Sequence, residues 1–239
     1  MLTAVLFGLA ASSALVIGAL IGSRFSPPRQ VTGTLLAFAS GALISALAFE
    51  LFEEAFKLGG AVRSGLGLLA GAATFVAADT YLDRWATGRS GPHNREVAGA
   101  SVGWALLAAV TLDGVPENLA LGVSLVEGTS LTLLVAIFAS NLPESLVGAV
   151  AMRNGGRSRS AVIGTWTACG VLLALAVVLG RGVAGGLSEE VLAVALGFAG
   201  GAVIASLADT LMPEAFEHGR PYNAFATAAG FFLSFVLAA

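Results

Sequence analysis

Eight apolar runs, each close to the length of a bilayer crossing, follow one another along the chain at 2–22, 31–56, 65–82, 100–126, 130–152, 160–180, 188–212 and 222–239. A helix needs about 20 apolar residues to cross the hydrocarbon core. The order therefore predicts an all-α, polytopic membrane protein with eight transmembrane helices. Composition agrees: of 239 residues, 56% are apolar and 11% charged, and the mean hydropathy is +0.87. A soluble chain would carry roughly 25% charge. Thirty-one glycines fit membrane helices that approach closely through small faces. Cys169 is the only cysteine, which excludes an intramolecular disulfide and a thiolate cluster. The first run is long for a signal segment and no basic residue precedes it, so it reads as a retained helix. Nothing points to a nucleic-acid partner, and the net charge of −3 says little about a chain mostly hidden in lipid.

Orientation follows from the basic residues. With eight crossings the connections alternate sides. One side holds Arg24, Arg29, Arg84, Arg89, Arg95, Arg153, Arg157, Arg159 and Arg220; the other holds Lys57, Arg63 and Arg181. The positive-inside rule puts the first set in the cytoplasm of a plasma or inner membrane, with both termini outside.

The chain repeats itself. Displaced by 160 residues, Phe38-Ala39, Gly41-Ala42, Ile44, Leu47-Ala48, Leu51, Glu54-Ala55-Phe56 and Gly59 fall on Phe198-Ala199, Gly201-Ala202, Ile204, Leu207-Ala208, Leu211, Glu214-Ala215-Phe216 and Gly219. That is 12 identities over the 22 positions 38–59. The copies are the second and seventh runs, which cross in opposite senses. The expectation is a single domain built as an inverted 3+2+3 repeat, as in many secondary transporters: repeat 1 at about 1–82, a central pair at about 100–152, and repeat 2 at about 160–239.

The central pair carries the chemistry. Asp113-Gly-Val-Pro116-Glu117-Asn118 and Ser140-Asn141-Leu-Pro143-Glu144-Ser145 place acids deep inside apolar helices, where charge is costly and marks function. Each proline removes a backbone donor and frees a carbonyl one turn back, that of Leu112 or Ala139. Asp113 and Glu117 share a helix face, as do Ser140 and Glu144. Counted from the short connection near residue 128, Glu117 lies about 15 Å down, Ser140 about 18 Å, Asp113 about 21 Å and Glu144 about 24 Å. These depths bracket the midplane of a core about 30 Å thick. Three carboxylates with Asn118, Ser140 and Asn141 form an all-oxygen set suited to a divalent cation. Like charges so close repel one another; a metal ion would relieve that repulsion and compete with protons for the site.

Other polar residues carry weaker signals. Glu50, Glu53 and Glu54 close the second helix near the outer face and read equally as a cation funnel or a solvated helix end. Asp209 and Glu214 on the seventh helix are candidates on the release side, Asp209 being the deeper. Asp79 reads as interfacial, and Asp83 and Arg84 as ordinary cytoplasmic boundary residues. His93 and His218 fall in cytoplasmic segments and read as ordinary exposed histidines, and Met212 as packing.

These motifs and their order resemble the ZIP (Zrt/Irt-like) family of divalent metal transporters over essentially the whole chain. The resemblance implies eight helices, both termini outside, inverted three-helix repeats around a central fourth and fifth helix, and zinc or iron as substrate. The family's fourth helix usually reads His-Asn-x-Pro-Glu-Gly; here Asp113 stands at the histidine, Gly114 at the asparagine, Pro116 and Glu117 match, and Asn118 replaces the glycine. On the fifth, Ser140 and Asn141 take the first two polar positions, and Pro143 and Glu144 match. Glu50 stands where the second helix commonly has histidine. Imidazole suits zinc and iron, whereas oxygen ligands suit harder ions such as Mn²⁺, Mg²⁺ or Ca²⁺. Without an asparagine at position 114 a second adjacent ion is disfavoured, and the loop 83–98 lacks a histidine cluster.

The function expected is transport of a zinc-, iron- or manganese-class cation by alternating access. The ion is substrate, no cofactor is permanently bound, and a homodimer is left open. The alternative is a ZIP-like membrane protein that has lost transport and serves a binding or structural role. An enzyme is not expected: the Gly-x-Gly-Asp setting of an intramembrane aspartyl protease and the His-Glu-x-x-His of a metalloprotease are both absent.

Overall fold

In lipid a backbone must satisfy its own hydrogen bonds, and the apolar runs do so as helices. The computed structural model describes the backbone of residues 1–87, 100–126 and 131–238; the side chains of residues 82, 83, 85–109, 112 and 113 lie outside the description. Among the described residues the elements are α1 (Leu2–Gly22), α2 (Arg29–Ala46), a π-helical segment (Leu47–Phe52), α3 (Glu53–Thr87), α4 (Ala100–Ser124), α5 (Leu131–Asn154), α6 (Arg159–Ala184), α7 (Glu189–Ser206), a second π-helical segment (Leu207–Leu211), α8 (Met212–Gly219) and α9 (Asn223–Ala238). None is a strand.

Five helical runs among the described residues are long and apolar enough to cross a membrane: Leu2–Gly22, Arg29–Tyr81, Leu131–Asn154, Arg159–Ala184 and Glu189–Gly219. Asn223–Ala238 is apolar but shorter. The run Arg29–Tyr81 holds 53 residues, which would make a straight helix about 80 Å long. It is not straight: Gly60 leaves helical geometry at φ 66° and ψ −179°, a conformation that only glycine adopts cheaply, and it divides the run in two.

Two helices outlast the apolar pattern that predicts them. The second was expected to stop at 56 but continues to Gly60; in this stretch Lys57 pairs with Glu53 at 2.9 Å and Glu54 at 3.6 Å one turn back. The seventh was expected to stop at 212 but continues through α8 to Gly219. There Pro213 follows directly on the π-helical segment Leu207–Leu211, inside the single run Glu189–Gly219, so its missing N–H falls where the regular ladder is already interrupted.

The packing obeys an approximate two-fold exchange of α1 with α6, α2 with α7, α3 with α9, and α4 with α5. Helix α2 packs on α9 and α7 on α3; α1 packs on α5 and α6 on α4; α2 packs on α5 and α7 on α4. Close backbone contacts repeat with it. A Cβ on Gly41 would strike the Thr227 carbonyl, and one on its counterpart Gly201 the Leu68 carbonyl. Gly8 of α1 faces Ala174 of α6 while Gly170 of α6 faces Ser12 of α1, each 162 residues from its equivalent. The two π segments also coincide under the 160-residue displacement. Two apolar clusters hold the bundle together, one centred on α2, α4, α5 and α7 with residues of α1 and α6, the other around the fully buried Trp166 among α1, α4, α5 and α6.

Candidate functional site

Pro116 and Pro143 lie inside continuous helices, α4 and α5. A proline in mid-helix removes a ladder bond, freeing the carbonyl of Leu112 or Ala139, and just beyond each proline both helices carry the same side-chain-to-backbone bond, made to a different carbonyl. The residue after each Pro-Glu reaches back four positions. Asn118 Nδ2 donates to the Gly114 carbonyl at 2.8 Å, and Ser145 Oγ donates to the Asn141 carbonyl at 2.8 Å. Ser145 Oγ also lies 3.4 Å from the Ala14 carbonyl, which ties the Pro-Glu turn of α5 to α1. The sequence singled out Asn118 but passed over Ser145, because its second partner lies 131 residues away.

The two helices meet at these motifs. Ser140 Oγ lies 3.4 Å from Glu117 Oε2 and 3.0 Å from the Ile137 carbonyl. Glu117 is only 3% exposed, and Asn118, Ser140 and Asn141 are fully buried. Glu144 is half-buried. The expected ligand Asp113 lies on α4, but its side chain is outside the described residues. Among the described residues no three of His, Cys, Asp and Glu gather in ligating geometry.

The central amides are conspicuous for what they lack. Asn118 Oδ1, and both Oδ1 and Nδ2 of Asn141, are buried without a hydrogen-bond partner among the described residues. A buried polar group left unsatisfied costs about 1–3 kcal/mol, and native interiors hold few of them. Their carbonyl oxygens, with the Glu117 carboxylate and the Ser140 hydroxyl, supply hard oxygen donors of the kind that coordinate divalent cations.

Gly114 fills the position where an asparagine would offer a further donor. A Cβ there would lie 2.7 Å from Leu173 Cδ1 of α6. The space beside this position is therefore occupied by an apolar side chain, a feature of tertiary packing with no sequence signal. Cys169, one turn earlier on α6, sits 3.6 Å from Thr111 Oγ1 and is buried.

The remaining candidates lie elsewhere. Glu50 and Asp209 both fall inside π-helical segments, which frequently mark functional sites; the sequence flagged the acids but not the backbone irregularity that holds them. Glu50 is half-buried and Asp209 exposed. Glu53 and Glu54 are engaged with Lys57. Glu214 is half-buried in the first turn of α8. Met212 is 40% exposed rather than packed inside, and it lines an apolar cleft of about 370 Å³ with Ala37, Ser40, Phe216 and Thr227. In the other repeat the equivalent residue, Phe52, lays its ring against Gly200, so the two halves differ there. His93 and the greater part of the loop 83–98 lie outside the described residues.

No protein-family model matches the chain, and no curated protein matches it.

Proposed function

We propose that the protein is a divalent cation transporter of the ZIP type, with eight crossings in an inverted 3+2+3 arrangement and both termini outside. Its substrate would be a cation of the zinc, iron or manganese class. The observation that carries this reading is the pair of buried amides, Asn118 and Asn141, whose oxygens lack partners among the described residues beside a Glu117–Ser140 contact inside two proline-bearing helices. A transported ion is the ligand that such a set of donors fits.

The ligand set would be Glu117, Asn118, Ser140 and Asn141, completed by Asp113, which stands in register with Ser140, and Glu144, which stands in register with Glu117. With Leu173 against Gly114, the site suits one ion rather than an adjacent pair. Oxygen donors favour Mn²⁺ over softer ions. Glu50 and Glu54 would gather cations at one face, and Asp209 and Glu214 would receive them at the other.

Alternating access needs bodies that move as units. The packing favours α1, α4, α5 and α6 as one unit: α1 and α6 pack on each other and on the central pair. The tight glycine contacts of α2 with α9 and of α3 with α7 favour those pairs as the frame. Uptake of radioactive manganese, zinc and iron into proteoliposomes tests the proposal. The expected result is saturable uptake that is lost in Glu117→Ala; absence of uptake for every ion, or identical uptake by the variant, would refute it.

A further inference from the structure

One end of the bundle collects arginines that make no ion pair among the described residues. Arg153, in the last turn of α5, donates to Ser26 Oγ. Arg159, at the start of α6, donates from Nε to Ser23 Oγ at 3.3 Å. Both serines belong to the short α1–α2 connection, beside Arg24 and Arg29. Gln30 Nε2 donates to the Arg220 carbonyl at 3.1 Å and draws a third connection into the same region. Arg153 and Arg159 are thus fixed by serine hydroxyls, with Arg24 and Arg29 beside those serines in sequence and Arg220 brought near through its backbone carbonyl. None of these five makes an ion pair among the described residues; the ion pairs found there join Lys57 to Glu53 and Glu54, and Arg63 to Glu190. The acid nearest in sequence, Glu217, is exposed three residues before Arg220.

The helix starts sharpen the imbalance. A helix N-terminus favours an acid in its first turn and disfavours a cation. Helix α7 follows the rule with Glu189 and Glu190. Helices α2 and α6 break it: each opens on an arginine, Arg29 or Arg159, with no acid in the first turn. The region sits where α1 and α5 end and α2 and α6 begin, at headgroup depth for a membrane-embedded bundle. Phe25, Phe216 and Tyr222 are exposed around it at 65%, 57% and 57%, and the Arg220 guanidinium lies 4.9 Å over the Phe216 ring. Exposed rings beside fixed arginines suit a lipid, with its acyl chains and its phosphate, better than a free anion.

We propose that this end is a binding site for anionic phospholipid headgroups, with Arg153 and Arg159 holding the phosphate from positions fixed by Ser26 and Ser23. The site rests on membrane embedding and not on cation transport, so the two readings fail separately. The test is thermal unfolding of the full chain in a neutral detergent, titrated with phosphatidylglycerol, phosphatidylcholine or inorganic phosphate. Phosphatidylglycerol should raise Tm saturably, and the other two should not. Arg153→Gln with Arg159→Gln should shift the titration midpoint about 30-fold, and Arg153→Gln alone, the variant to use if the double one fails to fold, about fivefold. Arg153→Lys with Arg159→Lys should keep most of the effect, and Arg63→Gln at the opposite end all of it. Equal responses to the two lipids, an unchanged midpoint in the Gln variants, or the same response to inorganic phosphate would overturn the proposal.

Discussion

Asn141 is fully buried with neither end of its amide partnered among the described residues, a position that stability alone would give to leucine. Replacing both polar atoms by apolar ones removes a desolvation cost of about 1–3 kcal/mol. Asn141→Leu is therefore expected to raise Tm of the metal-free protein while abolishing the rise in Tm that Mn²⁺ produces in the wild type; a variant less stable without metal and equally responsive to it would contradict the assignment. Gly114 makes the complementary case. Gly114→Asn forces a side chain against Leu173, and overpacking of this kind costs about 1–3 kcal/mol. Pairing it with Leu173→Ala should recover most of that loss, as read from the melting temperatures of the two variants. The two Pro-Glu motifs were legible because proline and acid have no business inside an apolar run unless something compensates. Ser145 and Leu173 were not, because their roles depend on α1 and α6, far away in sequence.

At the scale of elements, glycine decides which helices lock together. Gly41 and Gly201 bring helix backbones into direct contact in the two halves, whereas a Cβ on Gly65 would meet nothing within 4 Å. Gly41→Leu and Gly201→Leu should each destabilise the fold markedly. Gly65→Ala should stabilise it by about 0.5–1 kcal/mol, since it lowers the entropy lost on ordering a helix. Thermal unfolding of the three variants in detergent checks the contrast. The repeat could be seen in the sequence because it preserves residue identities at Phe38–Gly59 and Phe198–Gly219. The π segments could not, because Leu47–Phe52 and Leu207–Leu211 carry ordinary helical residues and differ only in how the backbone ladder is paired. Helix ends misled for a similar reason: the apolar pattern stops near 56 and 212, while the backbone stays helical to Gly60 and Gly219.

Across the whole molecule, the all-helical architecture followed from hydropathy alone, and the packing partners followed the internal repeat rather than chain order. The exchange of α4 with α5 makes Glu117 and Glu144 equivalent by position on the two motifs, and the proposed site would hold one ion between the two halves. The central claim is that side chains from these two proline-bearing helices hold a divalent cation between them, and the most direct measurement is Mn²⁺ binding to the purified protein by electron paramagnetic resonance. The account predicts one tightly bound Mn²⁺ per chain, lost when Glu117→Gln and Glu144→Gln are combined in a variant that still folds. A protein that binds no Mn²⁺, zinc or iron, or one that binds equally well with both carboxylates removed, would contradict it.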